Sequence, residues 1–163
     1  MGVGKSTTGI ALAAELEMPY VDSDRVIEQL MGRSGRQVAE THGVPALHRL
    51  EAAVLLGPLT STTPMVITAA ASTVEDELVC EALGRRAYVV RLVAPLDTML
   101  ERQGADDHRR PMASAELAAL AERREPMFAS VERLCVDADQ ETATIIAMIV
   151  AGLESEGILE SND

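Results

Sequence analysis

The sequence predicts an α/β fold, a mostly parallel sheet with helices on both faces, in a single domain over residues 1–153 with an acidic tail at 154–163. Three observations predict it. Short apolar runs alternate with segments of helical spacing along the whole chain, which is the beat of strand and crossover helix. The strand candidates are continuously apolar rather than alternating, as parallel strands covered on both faces must be. The length of 163 residues is enough for one domain with its own core and leaves no room for a second.

Each element follows from its residues. Positions 6–16 place Ile10, Leu12, Ala13 and Leu16 at helical spacing, and Met18-Pro19 ends that helix. Pro19-Tyr20-Val21 is a short apolar run with Asp22 at its tip, the form of a buried strand. Helices are expected at 25–31, 35–41 and 46–56, punctuated by Gly32, by Gly43-Val44-Pro45 and by Gly57-Pro58. Residues 65–71 and 87–93 read as buried strands, the second interrupted by Arg91. Between them 74–83 is helical, with Gly84 as its C-cap and Arg85 and Arg86 complementing the helix end. A helix at 96–103, a polar loop to Met112, a helix at 114–125, a strand at 133–137 and a helix at 142–154 complete the domain. The tail is expected to be frayed and solvated.

Composition narrows the partners. Lys and Arg number 14 against 26 Asp and Glu, a formal net charge of −12, which argues against a grip on a nucleic-acid backbone. There is no Trp, and Phe128, Tyr20 and Tyr88 offer no platform for stacking bases. The longest uncharged apolar stretch, 142–153, is short of the ~20 residues that span a bilayer, so no membrane partner is expected. Glu15 and Glu17 cut short anything resembling a signal peptide. Cys80 and Cys135 lie far apart with no metal-ligand spacing around them, which fits a reducing cytoplasm. A cytoplasmic monomer acting on small molecules is the expectation.

Gly2-Val3-Gly4-Lys5-Ser6-Thr7 opens the first helix and forms the second half of the phosphate-binding pattern G-x-x-x-x-G-K-[ST]. The glycines let the backbone wrap a phosphate, helix N-terminal amides point at it, Lys5 supplies charge, and Ser6 is a ligand for Mg²⁺. The first glycine of the pattern, and the strand that feeds the loop, are expected ahead of Met1. A chance match at a helix start is the bland alternative, and Met1-Gly2 with Ser6 also satisfies an N-myristoylation pattern. Asp22 and Asp24 sit at the C-terminal tip of a strand, the edge where open α/β sheets bind ligands. One can order Mg²⁺ through water while the other positions an attacking hydroxyl. Equally, Asp24 can simply cap the helix beginning at Arg25.

Taken in order, these motifs resemble the shikimate kinases. The Gly-x-Gly-Lys-Ser-Thr opening, Asp22-Ser23-Asp24 followed by Ile27-Glu28 and Gly32, the segment from Gly43 to Glu51, Arg110-Pro111, and Arg124 with Pro126-Met127-Phe128 occur in that family's order and spacing. The resemblance covers nearly all of the chain to about Val150 and implies a three-layer P-loop kinase fold lacking its first strand. It implies that Gly2, Val3, Gly4, Lys5, Ser6 and Thr7 bind ATP with Mg²⁺, that Asp22 is a water-mediated metal partner, and that Asp24 pairs with the acceptor hydroxyl. Arg110 becomes the catalytic arginine of a lid at about 104–113, also touching ATP, and Arg124 a clamp on the acceptor carboxylate. The implied activity is transfer of the γ-phosphoryl group of ATP to shikimate, in the shikimate pathway of aromatic amino acid biosynthesis. Without the resemblance, His108-Arg109-Arg110 reads as a solvated basic loop tip.

The sequence departs from the family in two places that face the acceptor. Leu47-His48 stands where the family has Phe-Arg, so a permanently charged planar fork is replaced by the titratable ring of His48. Adjacent Arg49 is rotated by ~100° about the helix and is no obvious substitute, and His48 also reads as an ordinary half-buried helix residue. Ala69-Ala70-Ala71 stands where the family has three glycines, each methyl narrowing the space around Ala70. The alternative function is therefore a nucleotide-binding paralogue with a changed acceptor or no kinase activity.

Overall fold

The structure is a computed structural model, and it describes residues 3–95, 97–98 and 113–160. Met1, Gly2, Arg110, the lid segment up to Met112 and most of the helix expected at 96–103 lie outside the described residues. Seven helices and four strands alternate within them: α1 (Lys5–Glu15), β1 (Tyr20–Asp22), α2 (Ser23–Met31), α3 (Gly35–His42), α4 (Val44–Leu59), β2 (Val66–Thr68), a 3₁₀ turn (Ala71–Glu75), α5 (Glu77–Arg86), β3 (Val90–Val93), α6 (Ser114–Val131), β4 (Leu134–Asp137) and α7 (Thr142–Ser155).

All strand pairing among the described residues is parallel, but the sheet comes in two halves. β1 pairs with β2, placing Asp22 beside Thr68, and β3 pairs with β4, placing Val93 beside Asp137. No ladder joins β2 to β3. The two halves flank a cleft of about 800 Å³ lined by Ile67, Thr68, Ala70, Val90 and Leu92 from the strands and by Arg124 from α6. The strands expected to be buried are accordingly only half-buried along β1, β2 and β3.

Two hydrophobic clusters hold the halves. Ala52, Leu55 and Leu59 of α4 pack with Val74, Val79, Leu83 and Val131. Val136 of β4 packs with Ile145, Ile149 and Leu153 of α7, and Leu12 and Leu16 of α1 close over them. Arg91, the one charge in the β3 run, reaches out of the strand. Its guanidinium lies 4.5 Å from the centre of the Phe128 ring and bonds Glu125 at 2.5 Å and Glu132 at 3.4 Å, tying β3 to α6. The Glu125 hydrogen bond is the first cause of an Arg91 pKa above its ordinary value.

Several boundaries differ from expectation for identifiable reasons. Asp22, not Asp24, caps α2, accepting the Asp24 and Arg25 amides at 3.0 and 3.4 Å. Neither Gly57-Pro58 nor Pro126 ends its helix: Pro58 falls in the last turn of α4, and α6 carries Pro126 on to Val131. Gly84 lies inside α5, whose C-cap is Ala87. The apolar run at 65–71 is strand only to Thr68, and Ala71 already belongs to the 3₁₀ turn. The tail is not wholly solvated, since Gly157 turns it at φ 67° and Leu159 packs on the α7 cluster.

Gly9 shows why α1 begins as it does. A Cβ there would collide with the Thr68 side chain and stand 2.7 Å from the Tyr20 ring, so the helix crosses β1 and β2 at a distance only glycine allows. Gly9→Ala is expected to cost about 1–3 kcal/mol through overpacking and to lower the melting temperature by about 5 °C, read by circular dichroism.

Candidate active site

The residues singled out from the sequence fall into two groups. The first joins the start of α1 to the tip of β1. Gly4, the N-cap of α1, has φ 79°, a left-handed conformation that favours glycine, and no side chain caps the helix. The amides of that first turn therefore lack a side-chain cap and are open to an anion. Gly4, Ser6 and Thr7 are exposed, Lys5 is half-buried and Val3 is buried at 8% exposure.

Ser6 Oγ donates to Asp22 Oδ2 at 2.9 Å, and the Tyr20 hydroxyl donates to the same oxygen at 3.1 Å while sharing a 2.8 Å hydrogen bond with Thr68 Oγ1. Partial burial pushes the Asp22 carboxyl up, but the hydrogen bonds from Ser6, Tyr20 and the two α2 amides outweigh it and hold the group below the ordinary carboxylate range. Burial first, then the charge of Asp22, raises the Tyr20 hydroxyl. Asp24 stands one residue inside α2, half-buried, its amide held by Asp22. Ser6 and Asp22 are hard oxygen donors side by side. That set suits Mg²⁺, which takes one or two protein oxygens and completes its shell with phosphate and water.

The second group centres on Glu75, which sequence reasoning missed. Its Oε1 accepts from Arg124 Nε at 2.7 Å and Arg123 Nη2 at 2.8 Å, and its Oε2 faces His48 Nδ1 at 3.7 Å. Burial raises the Glu75 carboxyl, and the hydrogen bonds from Arg124 and Arg123 more than reverse this, leaving it below its ordinary value. Arg124 is buried, with 11% of its side chain exposed, so its charge needs a partner, and Glu75 is one. In the sequence Glu75 is one of three consecutive acids and reads as dipole compensation at a helix start; no local signal marks it as the meeting point of two arginines and a histidine from distant helices.

Ser72 Oγ donates to buried Glu51 nearby, linking the 3₁₀ turn to α4. Ala70 is 2% exposed with an ordinary φ of −67°, and among the described residues outside glycine only Glu17 has positive φ. The three alanines therefore impose no left-handed backbone strain. Arg49 is exposed.

A phosphate-cradling helix start against a strand-tip carboxylate, on an α/β sandwich, defines a P-loop phosphotransferase. The family model described as shikimate kinase matches residues 1–154. Curated shikimate kinases of Pseudoalteromonas translucida and Symbiobacterium thermophilum are 33% and 32% identical, aligned over 90% and 96% of this chain and 88% and 94% of their own. The structure of shikimate kinase from Acinetobacter baumannii in complex with shikimate superposes with a TM-score of 0.84 at 26% identity, covering 98% of this chain and 91% of that one. A gluconokinase from Sinorhizobium meliloti, at TM-score 0.55 and 20% identity, shares the fold alone. The chain belongs to the shikimate kinase family.

Asp22 gives the site a pH dependence. A carboxyl whose pKa is lower folded than unfolded binds fewer protons when folded, so its stabilisation is complete above the unfolded value near 4 and is lost as pH falls through the folded value. Wild type is expected to melt above Asp22→Asn at neutral pH, with the two converging as pH falls below the ordinary carboxylate range. A gap that persists unchanged in acid would show that the carboxylate charge is not what stabilises the cap.

Proposed function

We propose that this chain is a shikimate kinase, transferring the γ-phosphoryl group of ATP to a hydroxyl of shikimate, in the cytoplasm and within the pathway to aromatic amino acids. The observation that carries the reading is the Ser6–Asp22 hydrogen bond, which sets the start of α1 against the tip of β1 in one continuous polar surface.

The roles follow from chemistry. The first-turn amides after Gly2, Val3 and Gly4 receive the phosphates, with Thr7 beside them, and Lys5 neutralises charge on the β and γ groups. Ser6 and Asp22 hold Mg²⁺, Asp22 through water; the ion, when bound, supplies charge neutralisation between the phosphates. Asp24 accepts the proton of, or orients, the acceptor hydroxyl. Arg124 binds the acceptor carboxylate with His48 beside it, and Ala70 forms part of the acceptor wall. Arg110 takes the lid role that family membership suggests, stabilising charge on the transferring group. No helix among the described residues is long and apolar enough to cross a membrane.

The test is ADP release by the purified protein with ATP and Mg²⁺ against shikimate, gluconate and nucleosides. Shikimate-dependent turnover is expected, and turnover only with another acceptor would replace the reading. Lys5→Ala is expected to cost at least about a hundredfold in kcat/KM. Asp24→Asn is expected to lower kcat by about 10² or more while ATP binding, followed by calorimetry, persists. Full activity in Asp24→Asn would remove Asp24 from the chemistry.

A further inference from the structure

Three nitrogen-bearing side chains from two helices converge on a single carboxylate of the 3₁₀ turn. His48 comes from α4, Arg123 and Arg124 from α6, and Glu75 receives all three, with the arginines on one oxygen and the imidazole on the other. This is the arrangement a bound carboxylate ligand would make with the same residues, except that the carboxylate belongs to the protein. We propose that Glu75 is a specificity-determining residue of the acceptor site: its carboxylate occupies the seat on Arg124 that the acceptor's carboxylate must take, so an anionic acceptor binds by displacing it. The proposal rests on the reading of Arg124 as the acceptor clamp.

Physical chemistry gives the exchange its direction. A guanidinium as buried as that of Arg124 is costly to leave without an anion, and with no acceptor present Glu75 meets that need. Two carboxylates cannot share one pair of donors without strong repulsion. Glu75 is 23% exposed, so its carboxylate has a route to water when it yields the arginine, and its loss of contact is offset by hydration. It also ends the 3₁₀ turn that begins at Ala71, directly after Ala69 and Ala70. Charge at position 75, rather than bulk, should therefore set the affinity for carboxylate acceptors and be indifferent to uncharged ones.

Steady-state kinetics of wild type, Glu75→Gln and Glu75→Asp, with shikimate and its neutral methyl ester as acceptors, tests this. Glu75→Gln is nearly isosteric, and circular dichroism melting checks that it folds. Its KM for shikimate is expected to fall about tenfold, the change falling on KM rather than kcat, with KM for ATP and for the methyl ester unmoved. Glu75→Asp keeps the charge and should show no such gain; if Glu75→Gln does not fold, the proposal falls should Glu75→Asp bind the ester and shikimate with equally altered KM. An unchanged or raised KM for shikimate in Glu75→Gln overturns the proposal, because it would mean that Glu75 orients Arg124 instead of competing for it. A gain seen equally with the methyl ester overturns it as well. If neither protein turns over shikimate while both bind ATP, the functional reading fails, and calorimetric titration with shikimate then decides the seat by itself. Tighter binding to Glu75→Gln supports it, and equal or absent binding refutes it.

Discussion

The carboxylate of Asp22 accepts hydrogen bonds from the Ser6 hydroxyl, the Tyr20 hydroxyl and the amides of Asp24 and Arg25, so α1, β1 and α2 all converge on it. Three structural decisions are made at that one group. It fixes the side chain of Ser6 at the start of α1, it terminates β1 by converting the next residue into a helix, and it places Asp24 one residue into that helix. Thr68, beside Asp22 in the β1–β2 register, extends the same network through the Tyr20 hydroxyl. A strand tip that is also a helix cap can hold reacting groups without relying on loop backbone, which is how a site becomes rigid in a small domain.

Asp22 and Glu75 show two uses of a depressed carboxylate. Both are held ionised by donors that outweigh partial burial. The donors of Asp22 are local hydroxyls and amides from neighbouring turns, and the result is a fixed platform. Those of Glu75 are the guanidinium groups of Arg123 and Arg124, both delivered from α6, and the result is an ion pair that joins the 3₁₀ turn to that helix. Hydrogen bonding by neutral groups of neighbouring turns fixes local geometry, whereas charge-assisted pairing joins elements distant in the chain.

How much of this was legible depended on whether the signal was local. The helix start at Gly4-Lys5-Ser6-Thr7 and the strand tip at Asp22 were readable because their residue types and spacing are local signals, and the fold sets the two side by side. Turn residues misled where tertiary packing overrode them: Pro58 and Pro126 sit inside helices, and Gly84 in α5 is passed over because the helix runs on to Arg86. The 3₁₀ turn was hidden inside an apolar run, since small residues such as Ala71, Ser72 and Thr73 suit a strand end as readily as a tight turn. Glu75 was invisible because its partners lie 27, 48 and 49 positions away in the chain, a juxtaposition that only the fold creates.

The close crossing at Gly9 ties the position of α1 to the strand tips. α1 lies against β1 and β2 through Gly9 and against α7, which packs on β4. A side chain at position 9 would meet Thr68 and Tyr20, the two residues whose hydroxyls share the network around Asp22. The tightness of one helix–strand crossing therefore governs how near the start of α1, with Ser6, stands to the carboxylate at the end of β1.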